Sequence, residues 1–251
     1  MSGHSKWSTI KRKKGALDAK RSKIFTKIIK EITIAARDGG SDPDANPALR
    51  LGIQNAKGAN MPKDTIERAI SKGADSDSAN LVELTFEGYA PNGIAIFVEA
   101  TSDNNNRSVA DIRAVFTKYE GDLGTNGSLS FLFDRKWVFT INKDQLEGKV
   151  LEELEMELID GGLEELEDEE DVVMAYTSFD DFGNMQKLLD SMNIEIASAE
   201  LQRIPNNTSV LDIESAKKVL KLIEAMEEVD DVDNVYHNLE MTNELLNSWR
   251  V

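Results

Sequence analysis

The sequence predicts an α+β multidomain protein: an N-terminal three-helix bundle followed by two ferredoxin-like α/β sandwich domains, one inserted in the other. Three observations lead there. Through the first 75 residues apolar side chains recur at helical spacing, whereas beyond about residue 80 alternating, strand-type patterns are interleaved with helical ones. Counted up, those later elements make two layers of four strands and two helices. The charge divides along the same line. Residues 1–74 hold 16 Lys+Arg against 7 Asp+Glu, a net +9, while the remaining 177 residues hold 13 cations against 39 anions, a net −26. A chain of 251 residues has the length for two or three domains.

The basic end comes first. Between Met1 and Lys23 lie eight cations (Lys6, Lys11, Arg12, Lys13, Lys14, Lys20, Arg21, Lys23) and one acid, Asp18, with Trp7 the only aromatic before Phe25. An acidic chain that gathers positive charge at one end keeps a polyanion site there. From Leu17 the apolar residues Ile24, Phe25, Ile28, Ile29, Ile32, Ala35 and Ala36 follow a helical period, closed by Gly39-Gly40. Lys20, Lys23, Lys27, Lys30 and Arg37 form a second stripe beside the apolar one. At ~1.5 Å per residue this helix is about 31 Å long, enough to track several phosphates. Trp7 is expected to pin the arm to the bundle, with stacking on a base as the alternative. The candidate nucleic-acid-binding residues are therefore Lys6, Trp7, Lys11, Arg12, Lys13, Lys14, Lys20, Arg21, Lys23, Lys27 and Lys30.

Asn46-Pro47 opens a second helix carrying Leu49, Ile53 and Ala56, and Asn60-Met61-Pro62 a third carrying Ile66, Ala69 and Ile70. Both are too short to stand alone in water and should dock on the long one. After the small polar link 74–80, Val82, Leu84 and Phe86 alternate, Pro91-Asn92-Gly93 turns, and Ile94, Ile96 and Val98 alternate again, which predicts a hairpin. A helix from about Arg107 and a strand over Leu129, Phe131 and Phe133 follow. Trp137, Phe139 and Ile141 start a fresh strand. With the helix at Leu151–Leu158, strands near 164–167 and 172–178, the helix of Phe182 to Met192 and a strand from Ile194 to Arg203, segment 136–204 reads β-α-β-β-α-β. The tail adds one helix around Val219 and one strand, Val232–Leu239. The expected domains are 1–77, then 81–135 with 205–241 as one discontinuous unit, and 136–204 inserted into it.

No constellation argues for an enzyme. The absence of cysteine excludes disulfides and thiolate sites. His4 and His237 fall in different expected domains, so zinc has no ligand set. The acidic run from Glu164 to Asp171 lacks calcium-loop spacing and reads as a solvated hairpin turn. Phe131, Phe133, Trp137 and Phe139 could stack bases on a sheet, but they lack the basic-glycine-aromatic pattern of such strands and are expected in cores. No cofactor or metal is expected. No run of 18 apolar residues occurs, so no membrane partner is expected, and the N-terminus has no apolar signal region; both fit a cytoplasmic protein.

Several blocks resemble the YebC/PmpR-type family of probable transcriptional regulators: Gly3-His4-Ser5-Lys6-Trp7, Asp18…Lys20-Arg21…Phe25, Asn60-Met61-Pro62-Lys63, Glu87-Gly88-Tyr89, Asp103-Asn104-Asn105-Asn106-Arg107 and Val235-Tyr236-His237-Asn238. Ala90, Glu120 and Trp137 stand where that family's pattern leads one to expect glycine. The resemblance implies a three-domain protein without enzymatic activity. For bacterial members it implies DNA binding and control of transcription. Mitochondrial relatives resemble translational activators, and roles at the ribosome are implied too, so the partner is DNA or, alternatively, ribosomal or messenger RNA. A cationic arm does not choose between them, because phosphates are common to both.

Overall fold

The computed structural model describes residues 17–75, 80–146 and 148–249, with side chains from Arg21 onward. Helices α1 (Leu17–Gly39), α2 (Pro47–Gly58) and α3 (Lys63–Ala74) form the N-terminal bundle. Ile28, Ile32 and Ala36 of α1 are buried against Leu49, Ala56, Met61, Ile66 and Ala69, the apolar stripe that the spacing predicts. Asn46 links the first two helices. Its amide donates to Ala35 O (2.7 Å) and Gly40 O (2.8 Å), and its Oδ1 accepts from the Leu49 amide at 3.0 Å as the N-cap of α2. Asn60, at φ +56°, ends α2, with the next amide, Met61 N, reaching back to Ala56 O at 2.9 Å.

The next elements are β1 (Val82–Ala90), β2 (Ile94–Ser102), α4 (Asn105–Lys118) and β3 (Asp122–Leu123). Then come β4 (Phe133–Asn142), α5 (Leu151–Ile159), β5 (Leu163–Asp168), β6 (Val172–Ser178), α6 (Phe182–Ser191) and β7 (Ser198–Pro205). The chain closes with α7 (Ile213–Glu227), β8 (Val232–His237) and α8 (Asn243–Trp249). The strands form two four-stranded sheets, ordered β3-β1-β2-β8 and β5-β6-β4-β7. The second has the ferredoxin order, with Phe139 opposite Ala175 and Ile141 opposite Val173. Those residues face Leu154 and Leu158 of α5 and Met185 and Leu189 of α6. In the first sheet Phe86, Ile94, Ile96 and Val98 pack on Ile112 and Phe116 of α4 and on Val219, Leu220 and Ile223 of α7. The α+β class, helices first and two sheet layers after, is the one the sequence predicts.

Two expectations need correction. Leu129–Phe133 is not a strand: Ser130–Leu132 is a 3-10 turn, Phe131 is 70% exposed, and a single strand begins only at Phe133. The reason is Glu87. Its buried carboxylate accepts the amides of Gly127 (2.7 Å) and Leu129, claiming the donors that a ladder would need. The third strand of this sheet is instead the two-residue β3, paired at Gly88↔Leu123 and Tyr89↔Asp122. The second correction is at the end of the chain. The expected domain stopped at 241, whereas α8 follows, with Leu245 (3% exposed) and Trp249 (8%) packed into the core of the first sheet.

By contact the described residues divide into two compact units, one of 80–134 and 204–249 with the first three residues of α1, 17–19, the other of 20–75 with 135–203. The helical bundle thus shares a unit with the β5-β6-β4-β7 domain. The side-chain amide of Asn55 on α2 takes the place of a neighbouring strand. It accepts from Ala199 N at 2.9 Å and donates to Ala199 O at 3.0 Å, closing the open edge of β7. At Gly58 a Cβ would lie 1.7 Å from Ala197 O, so only glycine lets α2 come this close. Leu51 joins the core of the sheet domain.

Candidate nucleic-acid interface

The candidate cations on described side chains lie along α1. Arg21, on the first turns, is exposed; its Nη2 donates to Asn60 O at 3.4 Å and its guanidinium lies 5.3 Å from the Phe25 ring centre. These contacts stiffen the side chain without neutralising it. Lys23 and Lys30 are half-buried. Lys27 is 17% exposed, its Nζ 3.2 Å from Glu200 Oε2 on β7 and 3.9 Å from Glu31 Oε1. Helical geometry puts Lys20, Lys23, Lys27 and Lys30 within about 80° of one another around the axis, so the stripe exists. Part of it, however, faces an acid of the neighbouring sheet domain rather than solvent. Lys6, Trp7, Lys11, Arg12, Lys13 and Lys14 lie outside the described residues, as does the side chain of Lys20.

Further cations that the sequence reading passed over lie on α2 and α3. Lys57 at the end of α2 and Lys63 and Lys72 on α3 are exposed. Lys63 meets Glu67 at 3.5 Å while 87% exposed, a contact worth little in water. Arg50 and Arg68 serve the backbone instead: Arg50 donates to Pro43 O (3.1 Å) and Asp44 O (2.8 Å), and Arg68 to Asp64 O (3.0 Å). The one available signal was that these cations sit off the apolar stripes of α2 and α3. Which of them tether loops is a tertiary fact.

Other groups in question have structural partners. Glu167 of the acidic hairpin is buried and accepts from Tyr176 OH at 2.6 Å, while Lys136 pairs with Glu164 at 2.9 Å. Among the described residues no three His, Asp or Glu converge to hold a metal ion, and no helix is long and apolar enough to cross a membrane. Phe139 is fully buried and Trp137 half-buried, their rings 5.4 Å and 4.4 Å from that of Phe182. Phe133 is buried as well, but Phe131 is not, contrary to the core expectation.

The Asp103–Arg107 block builds a polar cluster. Asn104 caps α4 by accepting from Arg107 N at 3.2 Å. Buried Asp231 receives Arg107 Nη2 at 2.9 Å, Ser108 Oγ at 2.7 Å and Ser102 Oγ at 3.0 Å. Burial alone would raise the Asp231 pKa; the bonds from Arg107, Ser108 and Ser102 outweigh it and hold the carboxyl below its ordinary value.

Comparison with known proteins adds the following. Residues 5–76 match the family described as TACO1/YebC protein N-terminal domain, and residues 81–239 the one described as TACO1/YebC second and third domain. A "Probable transcriptional regulatory protein" of Amoebophilus asiaticus is 52% identical over 241 residues, covering 95% of this chain and 98% of the relative. Another of that name, from Rubrobacter xylanophilus, is 47% identical over 248 residues, with 98% of each chain covered. The crystal structure of a conserved hypothetical protein from Aquifex aeolicus superposes with a TM-score of 0.83 at 41% identity, covering 92% of this chain and 95% of that one.

Proposed function

The chain belongs to the TACO1/YebC family, and on that premise we propose that it is a non-enzymatic, nucleic-acid-binding regulator of transcription acting in the cytoplasm. The observation that carries this reading is the placement of positive charge. A chain of net −17 concentrates 16 of its 29 cations in the first 74 residues. Arg21 stands exposed on the first turns of α1, continuing the basic arm. Phosphates are the ligands that such a surface attracts, and DNA is the polyanion that fits the names of the relatives. The acidic remainder repels any polyanion not seated on that end, which confines the footprint.

The test is crosslinking in cells followed by sequencing of the bound DNA and RNA. Recovery of discrete DNA segments is the expected outcome. Recovery of mostly ribosomal RNA would replace transcription with a role at the ribosome, and recovery of neither nucleic acid would point the basic end at an acidic protein.

A further inference from the structure

The β3-β1-β2-β8 sheet lacks most of one edge strand. β3 covers β1 only at Gly88 and Tyr89, and among the described residues no strand pairs with Val82–Phe86 on that side. Antiparallel pairing alternates, so the carbonyl of Glu87, which accepts Gly124 N at 2.7 Å, shows which way each residue points. Two and four residues back, Thr85 and Glu83 present their N–H and C=O groups to the same open side. The chain does not continue β3 to meet them, because the Glu87 carboxylate draws the loop aside through the amides of Gly127 and Leu129. The vacated strip is a groove of about 410 Å³ between β1 and the start of α4. Leu84, Phe86, Val109 and Leu123 line it, together with the polar Glu83 and Asn105.

We propose that this groove takes an extended, basic peptide segment of a partner protein, which adds to β1 in line with β3. Main-chain pairing with Glu83 and Thr85 would supply affinity, and one alternate apolar side chain would fill the space beside Leu84 and Val109. The charge argues for the occupant. Residues 80–134 and 204–249 carry 18 Asp+Glu against 6 Lys+Arg, a net −12. It argues against a second copy of this chain, since two β1 edges would bring Glu83 carboxylates together. Nucleic acid is disfavoured for the same reason, so the site is distinct from the basic end and does not depend on the reading of that end.

The experiment uses the full chain and a fluorescent nonapeptide of alternating lysine and valine. Controls are its glutamate counterpart and the same lysine peptide N-methylated on alternate backbone nitrogens. Tight binding of the lysine peptide alone is expected, weakened about tenfold by N-methylation, which removes main-chain donors but no charge. Thr85→Pro deletes an outward donor without touching the β1–β2 ladder, and Val109→Trp fills the groove. Each should weaken binding by a similar factor while the thermal transition stays in place, and two variants guard against one that fails to fold. Equal binding of the N-methylated peptide, or no effect of either folded variant, would reduce the interaction to diffuse charge and overturn the proposal. So would slow hydrogen exchange at Thr85 in the free chain, since a segment of the chain itself or a second copy would then already cover the edge.

Discussion

Asp231 and Glu120 are the residues whose chemistry can be read most directly. Asp231 gathers donors from Arg107, Ser102 and Ser108 into a buried site between β8, β2 and α4. Asp231→Asn keeps the shape but replaces an acceptor oxygen with a donor among donors. It should lower unfolding stability by about 2 kcal/mol at neutral pH. The pH dependence follows from the direction of the shift. Because the folded carboxyl titrates below its unfolded value, its contribution is present in full above the ordinary carboxylate pKa. It is lost as pH falls through the folded one. Urea unfolding of both proteins should therefore show a gap that narrows in acid, below about pH 4; a constant gap would assign the loss to packing. Glu120 sits at φ +58°, one of the positions where glycine is expected from the family resemblance. A side chain in the left-handed region is strained, so Glu120→Gly should leave stability unchanged or raise it by about 0.5–1 kcal/mol. Ala90, at φ −80° and ψ 170°, is ordinary extended backbone and needs no glycine.

At the scale of elements the contact between α2 and β7 matters most. Asn55 completes the edge of β7 with its side-chain amide, and Gly58 lets the helix approach. Asn55→Asp would set a carboxylate against Ala199 O and should cost about 2–3 kcal/mol. Gly58→Ala should separate the bundle from the sheet domain. In native-state hydrogen exchange, α1–α3 and β4–β7 should then open at different free energies, whereas in the natural chain they should open together. Lys27 belongs to the same contact. Glu200→Gln removes the nearer of the two acids beside its ammonium, leaving Glu31 at 3.9 Å, and if α1 binds phosphates, the slope of log affinity against log salt should steepen, by no more than about 0.9 on duplex DNA. No change would mean that Lys27 faces away from the bound nucleic acid.

For the whole molecule, we propose that segment 136–204 is an insertion, flanked by a discontinuous domain of 81–135 and 205–241, to which α8 is added, and preceded by a basic bundle of 1–77. The entry and exit of the segment lie side by side: Asn206 N donates to Leu132 O at 2.9 Å, and Asn206 Nδ2 to Phe131 O at 3.1 Å. A chain with 136–204 replaced by a short glycine linker should keep the slow hydrogen exchange of β1, β2 and β8. Loss of that protection would make the two sheets one cooperative unit. The basic end should respond to salt in proportion to its contacts. With seven phosphates held by Lys11, Arg12, Lys13, Lys14, Lys20, Arg21 and Lys23, the slope on duplex DNA should be near −6, at about −0.9 per contact. Replacing Lys13 and Lys14 with alanine should flatten it by roughly 2, with the melting temperature little changed.

The sequence by itself determined the class of each layer, because side-chain period is a local property. Ile28, Ile32 and Ala36 must share a helix face, and Phe139 and Ile141 a strand face, wherever the chain goes. It also determined that positive charge collects at one end, since a charge count needs no coordinates. Tertiary structure decided what depends on partners distant in the chain. Leu129 to Phe133 alternates like a strand, yet Glu87, 42 residues before Leu129, takes the amides of Gly127 and Leu129 and bends the chain into a turn. Lys27 belongs to the cationic stripe by spacing, yet Glu200, 173 residues later, claims its ammonium. Nothing local to either residue encodes that outcome. A hydrogen-bond donor or an ion goes to whichever partner the packed fold brings within about 3 Å, and long-range packing alone sets which partner that is.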